Sequence, residues 1–535
     1  MIDEELEAMH LALCSLRTHR NTLTPISGLP LEILAWILQL HANDQPPSKR
    51  DLGWIRVTHV CRLWRDAALH HPALWANVTT EPGSRWLDLM LERAKSGPLS
   101  YRQVKCGKDS KDFLSHVLPH LFPRIHSFSV DDTPEAVSVV AQSLKFAAPM
   151  LDALELIVVS PPGRHHRSLL PEGIFDNNSP VLRRLHLKGI RVAWSVPILR
   201  GLTHLHIEEE GNPNHTHGLD GGFFHALKGL PALEILYLAN VLPDEVLSLD
   251  NGSVPLLRLR SLTLVGEGPS RLYVLGRLEI PSSCRLRLQC EYYNESELEA
   301  CLPMLCGHFS ATPDPFHTLS LVDIDETRTD LKLWRESNIR DSSTLHPPVD
   351  PDLVISASCP TEPYRPLDPL EIMCDTLPLS DIRTILIQRR EFTMRGDQWK
   401  RLFAANCQKV NNVFMSKELE AMDLCRVLST RLGNAQGTAF TPDQLFLPDL
   451  KLLSLQSVNL GYCTGWHDKF VDVGDVFVNT FNMRRTRGRA ISTIRLGRGC
   501  VVSAAQLNAL RDIVYVELNP DVVLELPEAS VAGSR

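Results

Sequence analysis

The chain has 535 residues, 44% of them apolar, and 63 acidic against 55 basic side chains give a formal charge of −8. That balance excludes a nucleic-acid surface as the main business; the acidic opening Ile2-Asp3-Glu4-Glu5-Leu6-Glu7 is no secretory leader, and no apolar run is long enough to cross a bilayer. Thirteen cysteines, odd in number and scattered, read as reduced buried thiols, so a soluble protein of the cytosol and/or the nucleus is expected. Length alone suggests about three to four domains, unless repeats extend one structure.

Residues 1–24 read as a helix: Ile2, Leu6, Met9, Leu13 and Leu16 recur at alternating four- and three-residue steps. The seam covers only about two heptads, too short for a durable free coiled coil, so the helix is expected to lie across the next segment rather than zip to a second copy. In residues 25–80, Pro30 suits a first helical position, with Ser27 upstream as a candidate cap. The helix that follows carries Ile33, Leu34, Trp36, Ile37, Leu38 and Leu40 around nearly its whole circumference, so it needs partners on two sides. A second helix is predicted over 53–69, with Trp54, Val57, Cys61, Trp64 and Ala68 at helical spacing. One face of this pair covers the other, and the remaining apolar face predicts a protein partner.

The ordered set Leu29-Pro30-x-Glu32-Ile33-Leu34, Val57-x-x-Val60-Cys61-x-x-Trp64-Arg65-x-x-Ala68 and Pro72-x-Leu74-Trp75 resembles the F-box of basidiomycete-type F-box proteins. The polar stretch His41 to Asp51 lengthens the connection relative to the compact family pattern. The resemblance implies docking on the Skp adaptor of cullin-RING ubiquitin ligases, with Leu29, Pro30, Ile33, Leu34, Val57, Cys61 and Trp64 as the expected contacts, some of them shared with the segment's own core.

Residues 81–98 form a linker helix, Arg85 to Ala94, stopped by Ser96-Gly97-Pro98. From 99 to 527 the chain repeats. Pro-x-Leu-x-x-Leu-x-Leu-x-x-[Ile/Val] occurs from Pro149, Pro180, Pro231 and Pro448, with looser copies at Ile125, Leu202, Leu259, Phe316, Ile382 and Ile491. These read as parallel strands, separated by helices such as Pro134–Phe146, Glu295–Phe309, Gly396–Ala405, Glu418–Leu428 and Ala504–Ile513. The fold class is therefore α/β: a small N-terminal helical F-box, then an irregular horseshoe-shaped solenoid similar to leucine-rich repeats. Ile or Val stands where that family usually has Asn or Cys, and frames start roughly 20 to 31 residues apart, so an uneven, partly broken arc is expected. Residues 325–369, polar and Pro-rich, read as a loop insertion, and 528–535 as a flexible tail.

No phosphate loop, Gly-x-Ser-x-Gly elbow, His-Glu-x-x-His helix or Cys-x-x-Cys pair occurs, so no catalytic chemistry and no cofactor are expected. Cys284, Cys290, Cys301, Cys306 and His308 carry the ligand types for zinc but not the paired spacing, and core packing is the expected role. His215 and His217 lie in a Gly- and Asn-rich connection and are not expected to bind metal. Arg484-Arg485-Thr486-Arg487-Gly488-Arg489 reads as a solvated turn rather than a docking site for an acidic partner. In the strand frames, period-two alternation places Arg184, His186, Lys188, His204, His206, Tyr237 and Thr263 on one outward face, a mixed basic and aromatic strip expected to meet a client protein.

Together these readings predict a non-enzymatic substrate receptor of a Skp-cullin-F-box ligase, with no nucleic acid, membrane or metal. The alternative is a scaffold that keeps the F-box outside any ligase.

Overall fold

The computed structural model describes residues 2–104, 117–159, 168–209, 222–242, 252–266, 268–290, 295–310, 314–323, 328–336, 349–358, 367–388, 394, 396–430, 445–466 and 469–525. Contacts divide the chain into two compact units, Met1–Pro243 with Leu247–Arg258, and Leu259–Arg535 with Asp244–Val246. Cys290's side chain, His215, His217 and the expected tail 528–535 lie outside the described residues.

The first unit opens with helices α1 (Ile2–Thr22), α2 (Leu31–Asp44), α3 (Arg62–Leu69), α4 (Pro72–Trp75) and α5 (Ser84–Ala94). Helix α2 packs on α3 and α4 through Leu34, Ala35, Leu38 and Ala42, all buried. Beneath it Trp54 and Trp75 meet edge to face at 4.9 Å, the Trp75 indole donates to the Ala68 carbonyl at 2.8 Å, and the Arg93 guanidinium lies 4.3 Å over the Trp75 ring. These aromatic contacts are what let so small a helical body hold a core.

The expected helix over 53–69 is broken in two. Gly53–His59 winds as a 3-10 helix, Cys61 is extended (φ −159°, ψ 173°), and α3 begins only at Arg62. Tight winding keeps Trp54 and Val57 stacked on one side, and the Arg65 guanidinium satisfies the end of that turn by donating to the Thr58 carbonyl at 2.9 Å. Gly53 is required where it stands: its φ is +52°, and a Cβ there would sit 2.5 Å from the Gln45 carbonyl oxygen.

Two further expectations for this region change. Ser27 does not cap α2; its hydroxyl, like that of Thr24, donates to the Asn21 carbonyl at 2.7 Å and so closes the end of α1. Nor does α1 lie across the following helices. None of its residues is buried, and its principal neighbour is the 3-10 turn Pro25–Gly28 directly after it.

The sheet of this unit is parallel throughout: β1 (Asn77–Val78), β2 (Leu99–Val104), β3 (Ile125–Asp132), β4 (Ala153–Val158), β5 (Arg184–Lys188), β6 (His204–Glu208) and β7 (Ile235–Ala239), each beside the next. Burial alternates residue by residue, as in β4 and β6, with the frame leucines Leu154, Leu156, Leu185, Leu187, Leu205, Leu236 and Leu238 inside. The close spacing between frames leaves room mainly for turns and 3-10 pieces such as Pro197–Leu199, with Pro134–Ser143 the longest helix described after α5 in this unit.

The second unit carries β8 (Ser261–Gly266), β9 (Arg285–Cys290), β10 (Thr318–Asp323), β11 (Arg328–Trp334), β12 (Leu353–Ser358), β13 (Thr384–Gln388), β14 (Asn412–Met415), β15 (Leu452–Leu455), β16 (Thr493–Leu496) and β17 (Tyr515–Leu518). Their spatial order is 8-9-12-11-10-13-14-15-16-17, parallel except that β11 runs against both β10 and β12. A row of helices, Gly268–Arg277, Glu295–Ser310, Leu367–Thr376, Gly396–Phe403, Glu418–Ser429, Val473–Thr486 and Ala504–Arg511, accompanies them, each packed on the next.

The loop expected over 325–369 is therefore corrected: β11 and β12 lie inside it and form the middle of the sheet, and the helix Leu367–Thr376 begins at its end. Leu331, Leu333, Leu353, Val354 and Ile355 are buried, and that local apolar content outweighs the Pro- and Ser-rich flanks. In the arginine cluster Arg485, Arg487 and Arg489 are exposed, as expected of a solvated turn, and one residue departs from that reading. Arg484 is 0% exposed and donates to the carbonyls of Leu447 (2.8 Å), Phe446 (2.9 Å) and Arg489 (3.1 Å), while Arg489 pairs with Asp449 at 3.1 Å.

Candidate partner-binding surfaces

Helix α2 carries two apolar stripes. At 100° per residue, Leu34, Ala35 and Leu38 point to the core, while Ile33, Trp36, Ile37 and Leu40, spaced i, i+3, i+4 and i+7, point the opposite way. The second stripe is exposed, Trp36 at 71% and Leu40 at 66%, and Leu31 is exposed at the start of the helix. Full burial of an aliphatic or aromatic side chain yields about 1.5–3 kcal/mol, so covering this stripe is worth on the order of 5 kcal/mol before the cost of association. A solvated helix gains nothing from four such residues on one face; a partner surface does.

The seven residues expected to make adaptor contacts divide on the structure. Pro30 and Ile33 are exposed, and Leu29, Cys61 and Trp64 are half-buried. Leu34 and Val57 belong to the core of the segment. Trp36, Ile37, Leu40, Leu31 and Val60 are exposed apolar residues left out of that set of seven, and the i, i+3, i+4, i+7 spacing of the first three with Ile33 was the available signal.

The second surface is the outward side of β3 to β7. Sheet register sets Ser129, Glu155, His186, His206 and Tyr237 in one row, a residue per strand. Ser129 donates to Glu155 at 2.7 Å, His186 meets the same carboxylate at 2.9 Å, the His186 and His206 rings lie 4.0 Å apart, and His206 stacks on Tyr237 at 3.8 Å and 15°. The flanking cations are paired: Arg184 with Asp152 at 2.6 Å, Lys188 with Glu208 at 2.8 Å, Arg191 with Glu209 at 3.3 Å. His204 bonds Thr203 at 2.8 Å.

The expected basic and aromatic strip is thus charge-balanced around an aromatic centre. The His186 hydrogen bond, with Ser129, holds Glu155 down at about 2, and the His206 ring 3.8 Å away together with the Lys188 ammonium does the same for Glu208. Glu155 occupies the same position in the Pro149 frame that His186 and Tyr237 occupy in theirs, so the repeat could have found it. Thr263, on β8 of the other unit, is buried.

Burial disfavours the thiolate at two of the four cysteines of this group, Cys284 and Cys306. Burial pushes the Cys284 thiol up to about 12 and raises Cys306, whose sulfur lies 3.1 Å from the Thr376 carbonyl. Among the described residues no set of three or more His, Cys, Asp or Glu side chains is placed to hold a metal ion, and no helix is long and apolar enough to cross a membrane.

No curated protein matches the chain. A family model does: residues 26–81, which span α2 to α4 and the exposed stripe, match the F-box-like family.

Proposed function

We propose that the chain is the substrate-recognition subunit of a Skp-cullin-F-box ubiquitin ligase, without catalysis of its own, working in the cytosol or nucleus. The observation that carries the reading is the coincidence of the F-box-like match at 26–81 with the uncovered stripe Ile33, Trp36, Ile37 and Leu40, since F-box domains typically bind the Skp adaptor through such helices. In this reading the two sheet units are leucine-rich-repeat-like, supported by the Leu-x-x-Leu-x-Leu strands and their parallel neighbours. The row Glu155, His186, His206 and Tyr237, with Arg184, Lys188 and His204 beside it, holds a client. Its paired charges and stacked rings suit a polar protein surface of mixed charge.

The mechanism is proximity. Holding a client lysine beside a charged conjugating enzyme raises its effective concentration, so affinity and geometry replace chemistry. The test is capture of the full chain from cells with its complexes intact: the Skp adaptor and a cullin are recovered together, and the Trp36→Asp variant loses both. Recovery of the adaptor without any cullin contradicts the ligase reading and leaves a scaffold.

A further inference from the structure

Helix α1 poses a problem that the F-box reading does not absorb. It spans Ile2–Thr22, none of its residues is buried, and Ile2, Leu6, Met9, Leu13 and Leu16 are each more than half exposed along one seam. Isolated helices near this length are marginal in water, and what normally stabilises them is packing of the apolar face. An α1 that packs on little of its own chain needs a cover.

The residues flanking the seam identify one. Taking Leu6 and Leu13 as a positions and Met9 and Leu16 as d positions, the e positions are Asp3, His10 and Arg17 and the g positions are Glu5, Ala12 and His19. The e flank runs from the acidic Asp3 to the basic Arg17, and the g flank from the acidic Glu5 to His19. In an antiparallel pair, like flanks face each other with their ends exchanged, so Asp3 meets Arg17 of the other copy and Glu5 meets its His19, twice each by symmetry. The same offset stacks Leu6 on Leu16 and Met9 on Leu13. In a parallel pair, g faces the following e: Glu5 would meet His10 and Ala12 would meet Arg17, which leaves Asp3 and His19 without counterparts.

We propose that α1 is a self-association element that pairs antiparallel with α1 of a second copy of this chain. The pair would place two copies of everything downstream on one assembly, so that two partner surfaces act on the same bound protein.

The experiment is sedimentation equilibrium of the full chain across the micromolar range. The wild-type chain is expected to dimerise reversibly. Leu6→Ser with Leu13→Ser abolishes the dimer; since α1 has no buried residue, these changes leave the rest of the unit folded. Asp3→Lys with Glu5→Lys weakens it by about tenfold or more, and adding Arg17→Glu with His19→Glu restores it to within about threefold, because both flanks are then reversed together. A wild-type chain that stays monomeric overturns the proposal, as does a dimer indifferent to the seam changes. A dimer that the fourfold charge exchange fails to restore overturns the antiparallel arrangement.

Discussion

Arg484→Met tests whether the second unit depends on one buried cation. The guanidinium is 0% exposed, faces no carboxylate among its hydrogen-bond partners, and donates to three backbone carbonyls within 3.1 Å, at Leu447, Phe446 and Arg489. Each carbonyl left without a donor costs about 1–3 kcal/mol, so three cost about 6. Against this, burial lowers the Arg484 pKa to about 10, and the methionine removes that desolvation cost, worth about 3 kcal/mol. The net loss is about 3 kcal/mol, a fall in Tm of about 6–12 °C for a unit of this size. Hydrogen exchange followed by mass spectrometry should localise it, with faster exchange in Glu418–Ser429 and around 445–450, and Arg485→Met, at an exposed neighbour, should change little. Unchanged protection and Tm in Arg484→Met would refute the reasoning, because the carbonyls would then be satisfied without the guanidinium.

Other outcomes follow from the same geometry. Leu34→Ala, at a fully buried position, should cost about 3 kcal/mol locally and speed exchange in α2 to α4, whereas Trp36→Ala, two residues on, should leave exchange within about 0.5 kcal/mol of wild type. Gly53→Ala forces a Cβ against the Gln45 carbonyl at positive φ and should destabilise the same helices by about 2 kcal/mol, first seen at the Trp54 amide, which donates to that carbonyl at 2.9 Å. Glu155 and Glu208 titrate low in the folded chain, so their contribution to stability is fully present above pH about 4.5 and is lost as pH falls toward 2. Carboxyl NMR titration should show both midpoints depressed, with His186→Ala moving Glu155 back up; a Glu155 midpoint unmoved by that change would sever the pair.

The sequence made the regular elements readable because strand frames state both faces at once. Strands form at all ten Leu-x-x-Leu-x-Leu-type frames, from Ile125 to Ile491. It was less informative where one face no longer needed to be polar: β11 and β12 bury side chains such as Val354 on the second face, and their short apolar runs were outvoted by Pro347 to Pro369. At α2 the sequence showed an all-round apolar helix but could not say which stripe the core would take; the Trp54–Trp75 pair decides that, and it is a tertiary contact. Glu155 could be found from its place in the Pro149 frame, whereas Asp152, one residue before β4, and Glu208, on β6, become visible as partners of Arg184 and Lys188 only through register. Arg484 illustrates the same limit, since in one dimension it reads as part of a surface cluster and in three it is buried against the Phe446, Leu447 and Arg489 carbonyls.

The central claim is that the outward stripe of α2 is an adaptor-binding surface. The most direct measurement is calorimetric binding of the purified full chain to a Skp adaptor, wild type beside Trp36→Asp with Ile37→Asp. The account predicts a one-to-one complex for the wild type and an affinity about 100-fold weaker or worse for the variant, as expected when central aromatic and aliphatic anchors are lost, with the exchange protection of α2 to α4 intact. A variant that is folded and binds the adaptor as tightly as the wild type would contradict it.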